Sequence, residues 1–322
     1  MHITPTCQQF LASICLTVML AACGGGGGSE GGSTGNGTTP GAPASAQVSP
    51  AESGAPQATG NTATDGFNWT NFRRQQLGLS ILNRNSLIDN AAQGHSDYQK
   101  ANNVITHQQN QGSPGFTGVT LQDRLAAAGY GLTRPYAFGE VISASGNTSG
   151  SNAAEDLITA IYHRFVMFEP RFREAGAGAA TAAGGYTYFT LNLASTNGLG
   201  AGLGQGKFVN YPHDGQQNVL SIFYSDYETP DPVGDRNEVG YPVSVHADIT
   251  SSVTVQSFTI APRGGAPLPV KLLSRATDAN TAQSAAAIVP LSVLAAKTTY
   301  DVQFSGTVDG VAASRAWSFS TR

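Results

Sequence analysis

From Gly24 to about Asp65 the chain carries no large apolar residue except Val48, and its only charges are Glu30, Glu52 and Asp65. Such a Gly, Ser, Thr, Ala and Pro segment has nothing to bury against its chain entropy. It reads as a flexible tether spanning very roughly 35 Å end to end. Whatever folds must lie within 66–322. That part has no cysteine, because Cys7, Cys15 and Cys23 all precede the tether. It therefore has no disulfide partner and no thiolate metal site, and burial must stabilise it.

Ahead of the tether, Phe10 to Leu20 (FLASICLTVML) is an apolar run of signal-peptide length, too short to span a bilayer. Leu20-Ala21-Ala22-Cys23 follows, and this small-residue approach to a cysteine resembles a bacterial lipobox. The resemblance implies lipidation of Cys23, cleavage before it, and a membrane partner reached through the lipid. Gly24 follows Cys23 where an inner-membrane retention signal would have Asp, which points to the outer membrane. The n-region MHITPTCQQ departs from the pattern in having no Lys or Arg. A net charge of −4, with 12 % charged residues and no clustered basic face, excludes a nucleic-acid partner.

Beyond residue 66 helical patterns come first. Phe67, Trp69 and Phe72 precede a polar end and Gly78, a stop signal. Leu87, Ala91, His95 and Tyr98 share one helical face. Thr120 with Asp123 reads as a cap, with Gly129 as the stop. A fourth helix is expected from near Asn152, with Glu155 in the capping-box position, running to about Phe168. Tyr136 to Ser143 and Tyr186 to Leu193 read as strands. Helices around a small sheet without βαβ alternation argue an α+β fold, a helix–sheet–helix sandwich.

Six motifs then occur in order: Leu87, Ala91 and His95; Ile105-Thr106-His107; Asp123-Arg124 with Gly129-Tyr130; Gly139-Glu140-Val141-Ile142; Tyr162-His163-Arg164; and Phe172, Glu174, Gly176 and Gly178. Together they resemble the bacterial branch of the CAP superfamily, which comprises cysteine-rich secretory, antigen 5 and pathogenesis-related 1 proteins. The resemblance covers about 130 residues and implies an α–β–α sandwich. It also implies a cleft with two histidines and two acids that holds a divalent metal in some members. Carried over, His107 matches the first histidine, Glu140 the acid of the Gly-Glu motif, and His163 the second histidine. The fourth member has no clean match. Val141 stands where the family has Asn, and Ala160-Ile161-Tyr162 replaces its Ser-Pro-Gly.

Two histidines and a carboxylate converging from distant positions can bind zinc tetrahedrally with an open position, which makes His107 and His163 the candidate metal ligands and zinc the candidate cofactor. The same groups can also orient one another without metal. Asp156 lies seven residues before His163 and shares its face if the helix is continuous. His95 reads as a helix-packing histidine at the border of the same cleft. Arg164 is expected to pair with Glu169, Glu174 or a helix terminus, and Asp123 with Arg124 at a helix end. No activated nucleophile stands out, and a pairing of Ser143, Ser145 or Ser149 with a histidine stays open.

After Lys207 short apolar runs alternate with Pro and Gly clusters, the pattern of a β-sandwich. The stretches around Tyr300 and Trp317 resemble bacterial Ig-like domains. The expected organisation is leader 1–22, lipidated cysteine and tether 23–65, CAP-like domain 66–198, linker 199–212 and Ig-like sandwich 213–322. The expected function is a non-enzymatic module of the bacterial envelope that binds a lipid, sterol-like molecule or envelope polymer in a cleft of His107, Glu140, His163, Asp156 and His95. A hydrolase at that cleft and a structural adhesin are the alternatives.

Overall fold

The computed structural model describes residues 19–23 and 52–322. The leader before Met19 and the tether from 24 to 51 lie outside the described residues. Strand β1 (Met19–Cys23) is followed by α1 (Thr62–Gln76), β2 (Asn83–Arg84), α2 (Ser86–Asn102), α3 (Leu121–Ala127), β3 (Ala137–Ser145), α4 (Gly150–Thr159), α5 (Ile161–Met167), β4 (Glu174–Thr181) and β5 (Thr187–Ser195). These strands form one sheet, ordered β1-β3-β5-β4-β2. In it β3, β5 and β4 are antiparallel, and β1 lies parallel to β3 along Phe138–Ile142. Structure starts earlier than the composition suggests. Glu52 bonds Arg73 at 2.6 Å, and Asn61 caps α1 by accepting the Thr64 N–H.

Side-chain alternation sorts the sheet into two faces. Ile88 and Ala91 of α2 and Leu121 and Leu125 of α3 pack with Phe138 of β3 on one face. Val141, Leu191 and Leu193 pack on the other with Phe67 and Trp69 of α1 and Leu157 and Ile158 of α4. Helix α5 lies on that second face, since a Cβ on Gly139 would meet the Val166 side chain at 2.7 Å. The layers are therefore α–β–α, as expected.

Strand β4 was not among the expected strands because its Glu-Ala-Gly-Ala-Gly-Ala-Ala-Thr run has no branched or aromatic residue before its last position, Thr181, to signal one. Its small residues let α2 approach. A Cβ on Gly178 would stand 2.2 Å from the backbone nitrogen of Gln93. The Ala177 and Ala179 amides, unpaired on this edge, donate to Asp89 (2.8 Å) and Gln93 (3.0 Å) of α2, so the helix closes the edge. Gly178→Ala is expected to destabilise the protein by about 1–3 kcal/mol in urea titration, because the clash is with backbone that cannot rotate away.

The expected single helix from Asn152 to Phe168 is two helices. Ala160 is extended, with φ −70 and ψ 121, and separates α4 from α5. Ser149 caps α4, not Asn152 with Glu155. The break removes the continuity that would have put Asp156 and His163 on one helix face.

The second domain comprises β6 (Val209–Tyr211), β7 (Gln216–Val219), β8 (Ile222–Tyr224), β9 (Glu238–Gly240), β10 (Val243–His246), β11 (Val253–Pro262), β12 (Val270–Ser274), β13 (Ala285–Pro290), β14 (Thr299–Val308) and β15 (Val311–Thr321). Two four-stranded sheets, β12-β13-β10-β6 and β11-β14-β15-β7, form a sandwich, with β8-β9 as a separate hairpin. Strand β13 is buried at every position, so it shows none of the alternation that marks a half-exposed strand. The expected linker is tied down. Asp248 accepts the amides of Leu203 (2.7 Å) and Gly204 (3.0 Å), and β6 falls inside the stretch.

The two domains share their interior. One cluster of buried residues runs from Phe67 and Phe168 to Tyr211, Val243 and Phe319, and a second joins Ile161, Tyr162 and Phe165 of α5 to Val239, Leu273 and Ala287. Arg164 is fully buried at this junction without a carboxylate partner. It donates to the carbonyls of Ile158 (2.5 Å), Thr159 (3.3 Å) and Pro242 (2.7 Å) and to Ser244 Oγ (3.2 Å). Its guanidinium lies 4.9 Å from the Tyr211 ring centroid and 5.0 Å from that of Tyr241, so two π faces and four oxygens take the place of the expected acid.

Glu169 is buried at the same junction and accepts the amides of Arg171 (3.0 Å) and Ile249 (2.9 Å). Burial pushes its carboxyl up to about 8, and Asp248 adds to the rise; the two amides and Arg74 act against it. A value raised above the ordinary 4.5 means that its contribution to stability is complete below pH 4.5 and is lost as pH rises to about 8. At ~1.4 kcal/mol per unit the loss is a few kcal/mol. Thermal unfolding at pH 5 and pH 8 should show that fall in the wild type and a smaller one in Glu169→Gln. Identical falls in the two proteins would refute the assignment.

Candidate functional site

Glu140 of β3 projects onto the face covered by α2 and α3 and is 2 % exposed. A buried carboxylate needs partners, and three elements supply them. The capping box of Thr120 and Asp123 starts α3, which places Arg124 over the sheet. The Arg124 Nη2 donates to both Glu140 oxygens, at 2.7 and 2.6 Å. The loop after α2 brings His107, whose Nδ1 is 2.9 Å from Glu140 Oε1. Arg124 also holds this loop by donating to the His107 carbonyl at 2.9 Å. Helix α2 adds His95, with Nε2 3.8 Å from the same Glu140 oxygen.

The electrostatics assign the protons. Burial alone would raise Glu140, but Arg124, His95 and the His107 hydrogen bond outweigh it and hold the carboxyl at about 2. Glu140 therefore only accepts, and His107 donates from Nδ1. Burial pushes His95 down to about 4, with Glu140 opposing and Arg124 assisting. Neutral His95 donates from Nε2 to the Thr106 carbonyl (2.7 Å) and accepts at Nδ1 from Gln109 (3.0 Å). Of the ring nitrogens in this cluster, only His107 Nε2 is buried without a partner.

The structure thus brings His95, His107 and Glu140 together and adds Arg124 and Gln109, which sequence reasoning did not place there. Arg124 was expected to pair with Asp123. Asp123 instead accepts from Thr120 at the helix start, as the Thr-x-x-Asp spacing itself indicates.

His163 and Asp156 do not join the cluster. They lie on α5 and α4, across the sheet from Glu140, because Glu140 and Gly139 point to opposite faces. The His163 Nδ1 is 2.9 Å from Glu228 of the second domain, and both side chains are fully buried. Glu228 also accepts the amides of Ile161 (2.8 Å), Tyr162 (2.6 Å) and His163 (3.1 Å). It caps α5 and orients the histidine at once.

Nor do the serines supply a nucleophile to His107. Ser143 lies three positions from Glu140 along β3 and so on the other face. Ser149 Oγ accepts from Asn152, and Ser145 Oγ from Asn147. The donor set does not fit a divalent metal. Both Glu140 oxygens are held by a guanidinium, both His95 nitrogens are engaged, and among the described residues no three His, Cys, Asp or Glu side chains gather as ligands.

The profile of the CAP family, described as the cysteine-rich secretory protein family, matches residues 67–193. This segment is a CAP domain. Among solved structures, an extracellular protein containing a SCP domain from Bacillus anthracis str. Ames is 27 % identical over 41 % of this chain and 39 % of its own, with a TM-score of 0.34. The chain thus spans about two fifths of that protein. An outer surface protein from Borrelia burgdorferi is 12 % identical over 41 % of this chain and 90 % of its own, with a TM-score of 0.35. No curated protein matches the chain. The CAP domain contains the whole His95–His107–Arg124–Glu140 cluster, whereas the partner of His163 lies outside it.

Proposed function

We propose that the chain is an envelope protein, lipid-anchored through Cys23 and held at the outer membrane, whose CAP domain binds a ligand without turning it over. The observation that carries this reading is the closed polar cluster. Glu140 is neutralised by Arg124, His95 is bonded at both nitrogens, and no hydroxyl stands against His107 Nε2. An enzyme acting there would need an activated nucleophile or water beside that nitrogen. The ligand class is a lipid, a sterol-like molecule or an envelope polymer. The lipobox-like Leu20-Ala21-Ala22-Cys23 supports the anchor; cleavage before Cys23 would take Met19–Ala22 of β1 away from its pairing with β3, and among the described residues no helix is long and apolar enough to cross a membrane.

The wild type should leave fluorogenic casein and ester substrates uncleaved, at the same background rate as His107→Ala. Cleavage lost in that variant would replace this reading with a hydrolase that uses the bare Nε2. Labelled palmitate should enter the wild type and not Cys23→Ala; equal labelling of both would end the lipid-anchor reading.

A further inference from the structure

We infer that the outer edge of β3 is a strand-docking site, whose occupant is an extended, uncharged peptide of small residues running parallel to β3. The inference rests on the cleavage before Cys23 proposed above, because that cut opens the edge. One edge of β3 is paired with β5 along its whole length, from Ala137 to Ser145. The other edge pairs with the Met-Leu-Ala-Ala-Cys of β1, from Met19 opposite Phe138 to Cys23 opposite Ile142. Among the described residues no further strand lies beyond β1. With Met19–Ala22 removed, the N–H and C=O groups that β3 turns to β1 lose their partners, and only Cys23 remains opposite Ile142.

Such backbone groups must meet water or another strand, and free edges are ordinarily blunted by Lys, Pro or a bulge. Strand β3 reads Ala-Phe-Gly-Glu-Val-Ile-Ser-Ala-Ser, with no Lys or Pro, and its register with β5 is unbroken. Its single charge, Glu140, points inward and is held by Arg124. The edge therefore carries none of the devices that keep an edge free. Helix α5 lies against both β1 and β3 and walls the slot, with Ile161, Phe165 and Val166 buried. The charged and titratable groups of α5 are already engaged, Arg164 with carbonyls at the domain junction and His163 with Glu228. A charged occupant would be desolvated without a partner. The β1 segment seated there has the chemistry that remains, apolar, uncharged and with two consecutive alanines, so that main-chain bonds supply the affinity.

The probe is a fluorescent peptide of residues 17–23 carrying Cys23→Ser (Thr-Val-Met-Leu-Ala-Ala-Ser). It is titrated against the wild type extracted from membranes in detergent, and against the uncut full-length Cys23→Ser protein, which keeps β1. The peptide should bind the mature wild type and not the uncut variant. At ~10 times its Kd it should slow exchange of the Phe138–Ile142 amides that face away from β5 about tenfold, since they exchange from the free fraction alone. Successive amides of a strand point to opposite sides, so Ala21→Pro/Ala22→Pro in the peptide removes one that faces β3 and should weaken binding about tenfold. No binding to the mature protein, equal binding to the uncut variant, or equal binding of the proline peptide each overturns the inference. So do edge amides already protected in the mature protein without peptide, whether a second copy or the chain itself covers them.

Mass spectrometry of the extracted wild type keeps the two readings apart. A chain that still starts ahead of Cys23 ends the lipid-anchor reading. The edge is then tested in that uncut chain, where Ala21→Pro/Ala22→Pro should speed exchange of the same amides about tenfold; unchanged exchange overturns the inference.

Discussion

Glu228→Ala is expected to destabilise both domains together, by about 3–5 kcal/mol. The substitution strips the carboxylate that caps the start of α5, orphans the amides of Ile161, Tyr162 and His163, and leaves the fully buried His163 ring without its partner. Groups buried in this way cannot turn to water without opening the junction between the domains. Glu228→Gln keeps an acceptor oxygen and should lose less, on the order of 1–2 kcal/mol. The chain has two tryptophans, Trp69 in the CAP domain and Trp317 in the sandwich. Single-tryptophan variants, with the other changed to Phe, therefore report each half separately. Coincident urea transitions, shifted equally by Glu228→Ala, are the expected result. Two separate transitions, with only the Trp317 signal moved, would show that the shared core does not couple the domains.

Glu140→Ala should be comparably severe, again about 3–5 kcal/mol, because it leaves the Arg124 guanidinium buried and uncompensated. Replacing both partners together, as Glu140→Leu/Arg124→Met, should restore most of that loss, since an apolar pair of similar volume needs no desolvated charge. The pH dependence separates the two effects. Glu140 is held at about 2, below its ordinary 4.5, so its contribution is present above pH 4.5 and is lost as pH falls toward 2. Acid unfolding between pH 4.5 and 2 should be steep in the wild type and shallower in the double variant. A double variant as unstable as Glu140→Ala alone would mean that the site stabilises through something other than this ion pair.

Much of the CAP domain was legible because its signals are local. The stripe of Leu87, Ala91, His95 and Tyr98 marked α2, and the Thr120 cap marked α3. The Gly139-Glu140 pair inside an apolar strand announced a carboxylate that had to find partners. Arg124 was within reach of the same logic: a buried acid with an arginine at the start of an adjacent helix is a pairing to test. The division of the Asn152–Phe168 stretch was not legible. Nothing in Thr159-Ala160-Ile161 breaks a helix. The break is stabilised by Glu228, more than 60 residues away, which accepts the amides that a continuous helix would have bonded internally.

His163 shows the same division of labour. The order of motifs placed it in a family pattern beside His107 and Glu140. The alternation of β3, with Gly139 facing α5 and Glu140 facing α3, placed it on the far side of the sheet. By itself the sequence determined α2, α3, the strands β3 and β5 and the order of the CAP motifs, because periodicity and caps act over a few residues. Only the tertiary structure decided which buried charge meets which. Desolvation makes each of them find a partner, but the choice depends on which elements the sheet and the second domain bring within 3 Å.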